Sequence, residues 1–269
     1  MNRPDPAAHL ADMIVRYGAP RKSSIAMLWA YFDETVVNEL DATDGKRRPV
    51  DMLVGGCIAP AEQWEAFSDK WKKALADEGI GTFHATDFYA FRREFSWFKD
   101  GEKDLARHSA FRDRLSDIII EHVDGAITFA SMLSVTEKGI RRAYEDAVMR
   151  AIYDFTKVCR PEDDLNIILA RHPELTPWAI LHTFERINWE NRISGCGIFY
   201  PHQVIPLQAA DFVLHSINKR WEGLETRSFE RLREGFGKRN KSFISQLAST
   251  VDVSGFSRPK PQKKCAPPS

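Results

Sequence analysis

The sequence predicts an α/β protein in which a mixed β-sheet is flanked by helices. Residues 27–32 are six consecutive apolar residues, which is typical of a strand buried on both faces. A second apolar stretch, residues 52–58, follows a polar segment with an Asp-Gly turn signal, so we expect the two strands to form a hairpin. Farther along the chain, strand patterns alternate with helical patterns, which indicates one sheet with helices packed against it.

Composition places few limits on function. The chain has 269 residues, 43% of them hydrophobic, which suits one large domain or two small ones. Lys plus Arg and Asp plus Glu both number 38, so net charge neither indicates nor excludes a polyanionic partner. No apolar stretch approaches the roughly 20 residues that cross a bilayer, and the first ten residues carry no signal-peptide pattern. We therefore expect a soluble, cytoplasmic protein that makes no membrane contact.

The cysteines are scattered and show no CxxC spacing. Small buried hydrophobic residues in a reducing compartment explain them better than disulfides or zinc ligands do. They are Cys57, Cys159, Cys196 and Cys265.

We expect four segments along the chain. Residues 1–24 form a leader, residues 25–222 form the α/β domain, and residues 223–253 form a helical C-terminal extension. Within this extension, positions 227–241 hold six basic residues and two acidic ones. Residues 254–269 are rich in Pro and Lys, which predicts a disordered tail.

The later elements follow from hydrophobic periodicity. A helix is predicted from Pro60, with Trp64, Phe67, Trp71 and Leu75 on its inner face. The remaining predicted elements are a helix at 105–122 with Leu105 facing inward, a strand at 126–133, a helix after a capping box at 134–137, a strand at 165–170, a helix at 176–190, a strand at 197–205 and a helix at 206–221.

Two adjacent carboxylates, Asp33 and Glu34, follow the first apolar run. If the strand continues through them, their side chains point to opposite faces. An acid at the end of a buried strand is costly unless something compensates its charge, and a metal ion is a common compensation. The alternative is that both acids mark the end of the strand, before a turn at Thr35.

Two further patterns place acid and imidazole groups together. His84 and Asp87 lie three apart, on one face if the segment is helical, although Thr86 or Asp87 would equally serve as a helix cap. On the last long helix, Gln208, Asp211 and His215 share a face beside the apolar stripe; a solvated face is the alternative. The chain has no phosphate-binding glycine loop, GxGxxG or GxSxG, so dinucleotide, P-loop and α/β-hydrolase functions lack their signatures.

Three short motifs together resemble the bacterial family catalogued as domain of unknown function 3800. They are Tyr-Phe-Asp-Glu-Thr at 31–35, Phe-His-Ala-Thr-Asp at 83–87 and Pro-Leu-Gln-Ala-Ala-Asp at 206–211, and the resemblance spans about residues 27–220. That family is similar to ribonuclease H in fold. In that superfamily, acids on the first strand, near a later strand and on the last helix gather around divalent metals.

The resemblance implies a metal-dependent phosphodiesterase or nuclease that acts on DNA or RNA. The implied catalytic residues are Asp33, Glu34, His84 and Asp211. The implied ligands of Mg²⁺ or Mn²⁺, which prefer oxygen donors, are Asp33, Glu34, Glu174 and Asp211. The residues expected to contact substrate are Arg171, His172, Gln208 and His215, and the basic residues of 227–241 are candidates to hold the nucleic-acid backbone.

The sequence departs from the family pattern in two places. Thr35-Val36 replaces a Ser-Gly pair after the first acids. The strand at 165–170 ends in Ala170-Arg171 where an acid is usual, so that only His172 and Glu174 in the following segment would supply a ligand. A non-catalytic nucleic-acid-binding or regulatory module with a degraded metal site is therefore the alternative.

Overall fold

The described residues form a six-stranded mixed β-sheet with helices on both faces; the α/β class and the mixed sheet agree with the sequence prediction. The computed structural model describes residues 27–40, 43–130, 135–158, 163–171, 193–221, 227–239 and 241–246. The elements are β1 (Met27–Leu40), β2 (Arg47–Pro60), α1 (Ala61–Asp77), α2 (Ala85–Tyr89), a 3-10 helix (Arg93–Lys99), α3 (Glu102–His122), β3 (Gly125–Ala130), α4 (Val135–Val158), β4 (Asp164–Ala170), β5 (Ile193–Phe199), α5 (Ile205–Trp221), α6 (Arg227–Lys238) and β6 (Ser242–Gln246). The strand order is β5-β4-β1-β2-β3-β6.

The first two strands form the predicted antiparallel hairpin. β1 pairs with β2 along its length, with Phe32 opposite Gly56, and Gly45 takes a positive φ of 66° in the connecting turn. The alternative that the acids end the strand at Thr35 is wrong, because β1 continues to Leu40. β1 extends through these polar residues because its backbone remains hydrogen-bonded to β2, with a register shift between Val37 and Asn38.

β1, β4 and β5 are adjacent and parallel, and β4 and β5 end beside the middle of β1, near Phe32, while β1 itself continues to Leu40. β1 pairs with β4 as far as Phe32 opposite Leu169, and β4 pairs with β5 as far as Ala170 opposite Phe199. The expected strand at 197–205 is wrong in position, because β5 spans Ile193–Phe199. Its Ser-Gly-Cys-Gly stretch has too few apolar residues to mark a strand, and pairing with β4 determines its bounds.

The sheet separates two layers of core. On one face, Trp29 and Tyr31 of β1 pack with α1, α3 and α5; on the other, Ala30 and Phe32 pack with α4. The predicted inner face of α1 is confirmed, since Trp64, Phe67, Trp71 and Leu75 are all buried.

The inward orientation of Leu105 is wrong, because this side chain is 49% exposed. Leu105 lies about one and two-thirds turns before the buried Phe111 of α3, which places the two side chains on different sides of the helix.

The segment after α5 is not only helical. α6 packs on α3, and β6 then joins the sheet parallel to β3. Two of the basic residues of 227–241 pair with acids of α3: Arg227 with Asp113, and Arg231, which lies 2.6 Å from Asp117. Acids of α3 therefore offset part of the charge of the cluster that was expected to hold a nucleic-acid backbone.

Several expectations fall outside the described residues. These are the leader, the helix at 176–190, the tail, Cys159 and Cys265. Of the other cysteines, Cys57 is buried as expected, whereas Cys196 is exposed on β5, which corrects the expectation for that residue. Within the part of the chain that the structure describes, no helix has both the length and the apolar character needed to span a bilayer.

Candidate active site

A cleft of about 580 Å³ opens where β4 and β5 end, beside the acids in the middle of β1. Ligands of α/β proteins commonly bind beyond the carboxyl ends of parallel strands. The cleft is lined by acids and bases from β1, the segments around α2, the end of β4, the turn after β5 and α5. Among its lining residues are Asp33, Glu34, His84, Asp87, Arg93, Arg171, His202, Asp211 and His215.

Asp33 and Glu34 both reach this cleft, although they lie on opposite faces of β1. β1 pairs with β4 only as far as Phe32. At Asp33 and Glu34, β1 therefore has no paired strand on that side among the described residues. Asp33 continues the face of Tyr31, toward α5, and its Oδ1 accepts the Glu34 N–H at 2.9 Å.

Asp211 is brought to the same cleft by α5. Its Oδ2 accepts the backbone N–H of Ala85 at 2.8 Å, which joins the last helix to the His84-Ala85 segment. The three motifs that are far apart in sequence therefore meet, and Asp33, Glu34, His84 and Asp211 line one cavity.

The pKa values of all three carboxyls are raised, chiefly by burial. Burial and then the charges of Glu34 and Asp211 raise the pKa of Asp33 well above its usual range. Burial and then Asp211 raise the pKa of Glu34 from 4.5 to about 8. Burial also raises the pKa of Asp211, while His84 and the Ala85 N–H oppose that change. Carboxyls in this arrangement need protons or a cation to offset their repulsion.

His84 lies on the rim of the cleft with its side chain exposed. It occupies the N-cap position of α2, and its Nδ1 is 3.9 Å from Asp87 Oδ2. Asp87 Oδ2 also lies 3.3 Å from Arg93 Nε. The capping alternative for Thr86 or Asp87 is therefore wrong, because both residues lie inside α2, after the cap position.

Gln208 does not line the cleft, which contradicts its expected contact with substrate. Its side chain is 2% exposed, and its Oε1 accepts the Trp71 Nε1–H at 2.9 Å and the Phe83 N–H at 3.1 Å. Its Nε2 donates to the Pro201 carbonyl at 3.3 Å. The amide therefore positions the segments around the cleft, because every polar atom it offers is used internally.

His215 lines the cleft one turn after Asp211 and is only 9% exposed. Its ring stacks on Tyr89 with centroids 4.5 Å apart. Burial, then Lys219 and His84, lower the pKa of His215 to about 4, so its imidazole is neutral at physiological pH. The solvated-face alternative for this side of α5 is wrong, because its polar residues point into the protein and the cleft.

Arg171 directly follows β4 and lines the cleft. Its backbone N–H donates to the Phe199 carbonyl at 2.9 Å, and its guanidinium lies 4.9 Å from the centre of the Tyr200 ring. His172 and Glu174, the other candidates after this strand, lie outside the described residues.

Within the described ranges, no three Asp, Glu, His or Cys side chains form a ready-made metal-binding group. The comparisons with known proteins assign no family: a scan against protein-family models finds no match, and a search of curated proteins finds none either.

Sequence reasoning missed Arg93 and His202, which line the cleft, and Tyr200, which stacks on His202. Tyr200 and His202 were assigned to the interior of a strand at 197–205. A strand end placed at Phe199 would have put both at the carboxyl edge of a parallel sheet, where ligands commonly bind. Arg93 carries no comparable sequence signal.

Proposed function

We propose that this chain is a divalent-metal-dependent phosphodiesterase of ribonuclease H-like type that acts on nucleic acid. The observation that carries the proposal is the set of three carboxyls, two from β1 and one from α5, whose charges oppose one another in a single cleft. The opening hairpin followed by parallel strands, with acids on the first strand and the last long helix, supports the ribonuclease H-like assignment.

The donor set suits Mg²⁺ or Mn²⁺. Both are hard cations that prefer carboxylate oxygens, and a cation would stabilise the charged forms of Asp33, Glu34 and Asp211, whose pKa values are raised chiefly by burial. Glu174 is the candidate for a further ligand. When bound, such metals activate a water molecule and stabilise the leaving oxygen of a phosphodiester.

The other residues of the cleft bind and orient the substrate in this proposal. The Ala85 N–H donates to one oxygen of the Asp211 carboxylate and so holds this side chain of α5 in one orientation. Arg171 on one rim and Arg93 on another supply guanidinium groups for phosphate oxygens. His84, exposed beside Asp87, is placed to transfer a proton or to neutralise a phosphate.

Metal titration tests the site directly. Mg²⁺ or Mn²⁺ should raise the melting temperature of the wild type, because a ligand that binds only the folded state stabilises it. Asp33→Asn and Asp211→Asn should lose this response and any metal-dependent cleavage of a mixed DNA and RNA panel. Asp69→Asn, on the exposed side of α1, is the matched control and should keep both. Identical titrations for the wild type and both site variants would overturn the proposal.

A non-catalytic nucleic-acid-binding or regulatory module is the second candidate. It is favoured by Ala170-Arg171 at the end of β4, where an acid would be expected. This candidate predicts nucleic-acid binding without cleavage and without a thermal response to metal, so the same experiments distinguish the two.

A further inference from the structure

One wall of the cleft is formed by Arg171 at the end of β4 and His202 in the turn after β5, with Tyr200 packed against both. The Arg171 guanidinium lies over the Tyr200 ring at 4.9 Å. The His202 ring stacks against Tyr200, with centroids 5.3 Å apart and planes 22° from parallel. Arg171 and His202 line the cleft, and Tyr200 supports both of them.

This wall is held in place by backbone and amide hydrogen bonds. The Arg171 N–H donates to Phe199, and the Gln203 N–H donates to the Tyr200 carbonyl, both at 2.9 Å. Gln203 Oε1 accepts the Tyr200 N–H at 3.2 Å. The buried Gln208 donates a hydrogen bond to the Pro201 carbonyl of the same turn. The three side chains are therefore presented on a fixed turn rather than on a free loop.

The side chains of this wall also offer groups that can bind a ligand. Among the described residues, neither Arg171 nor His202 has a carboxylate within ion-pair distance, whereas Arg93 is paired with Asp87. Tyr200 is 40% exposed, unlike nearly all other large apolar side chains in the described ranges. An exposed aromatic ring beside a guanidinium that has no carboxylate partner among the described residues offers a stacking surface and a bidentate donor within one small area.

We infer that Arg171, Tyr200 and His202 form a subsite for one unpaired nucleotide, so that the substrate is nucleic acid that is single-stranded at the cleft. The base stacks on the exposed surface of the Tyr200–His202 pair, and the edge of the Arg171 guanidinium binds the adjoining phosphate. In a duplex both faces of every internal base are covered, so this wall favours unpaired strands. The inference rests on the proposed function for the class of ligand, while its own content is the requirement for an unpaired base.

Binding without metal tests the subsite separately from catalysis. Fluorescence anisotropy in excess EDTA would compare a labelled single-stranded oligonucleotide, its duplex and an abasic version that keeps the phosphates. The wild type should bind the intact single strand more tightly than the other two. Tyr200→Ala should weaken binding of the intact strand about 5- to 150-fold, as expected for loss of one stacked base, and should leave binding of the abasic strand unchanged.

Other variants separate the roles within the wall. Tyr200→Phe should bind like the wild type, since it keeps the ring. Arg171→Ala should weaken binding of intact and abasic strands alike, because it removes a phosphate contact. Leu105→Ala, at an exposed apolar residue that does not line the cleft, is the control and should have no effect. His202→Ala, at an exposed position, gives a second test of stacking if Tyr200→Ala does not fold.

The outcomes distinguish this inference from the proposed function. Base-dependent binding that needs Tyr200, without cleavage in Mn²⁺, would support the subsite and overturn the phosphodiesterase. Metal-dependent cleavage with equal affinity for duplex and single strand would support the phosphodiesterase and overturn the subsite. Equal binding of the intact strand by Tyr200→Ala and the wild type, or no binding of any oligonucleotide by the wild type, would also overturn the subsite.

Discussion

The crowded carboxyls predict an unusual dependence of stability on pH, and Glu34→Gln isolates one of them. The folded state raises the pKa of Glu34 from 4.5 to about 8, chiefly by burial and then by the Asp211 charge, so the folded protein binds this proton more tightly than the unfolded chain does. The stability from this group is fully present below pH 4.5 and is lost as the pH rises through about 8.

The size of the loss follows from the shift. One pKa unit corresponds to about 1.4 kcal/mol, so a shift of this size sets an upper limit of about 5 kcal/mol on the unfolding free energy lost between those two pH values. Contact of the cleft with water reduces this figure. Glu34→Gln should therefore flatten the pH profile and should make the metal-free protein more stable than the wild type near pH 8.

Urea unfolding at a series of pH values in EDTA measures this effect. The matched control is Glu65→Gln, at an exposed position of α1, which should leave the profile of the wild type unchanged. Saturating Mg²⁺ should stabilise the wild type most at high pH, because the cation replaces the missing protons. Parallel pH profiles for the wild type and Glu34→Gln would refute the electrostatic account of the site.

Three further predictions concern the scaffold of the cleft, each measured by urea unfolding. Leu214 is buried on α5 against β1 and β2, so Leu214→Ala should cost roughly 2–5 kcal/mol; a cost near zero would mean that α5 is rotated and that Asp211 is misplaced. A Cβ on Gly56 would lie 2.6 Å from a backbone carbonyl of β1, so Gly56→Ala should cost about 1–3 kcal/mol, whereas Gly237→Ala, with open space around it, should not destabilise. Lys241 Nζ donates to three backbone carbonyls at the end of α3, so Lys241→Met should cost about 1–3 kcal/mol and the exposed control Lys238→Met close to nothing; equal effects would show that this cap is unimportant.

The sequence by itself determined the parts of the fold that depend on local pattern. The apolar run before Asp33, the Asp-Gly turn, the inner face of α1 and the start of α5 beside Pro206 were all predictable. Each depends on spacing within one element, where a period of two or of about 3.6 residues separates buried from exposed positions. The three short motifs also marked residues that lie together in the cleft.

The tertiary structure alone decided which polar residues meet and which are used internally. Pairing with β2 extends β1 through its acids. Pairing with β4 ends β5 at Phe199, which places His202 at the cleft with Tyr200 stacked on it. Gln208 shares a helix face with Asp211, yet its side-chain oxygen accepts hydrogen bonds from residues more than a hundred positions away. Such partners come from strand register and helix packing, which join distant segments, and no local pattern encodes them.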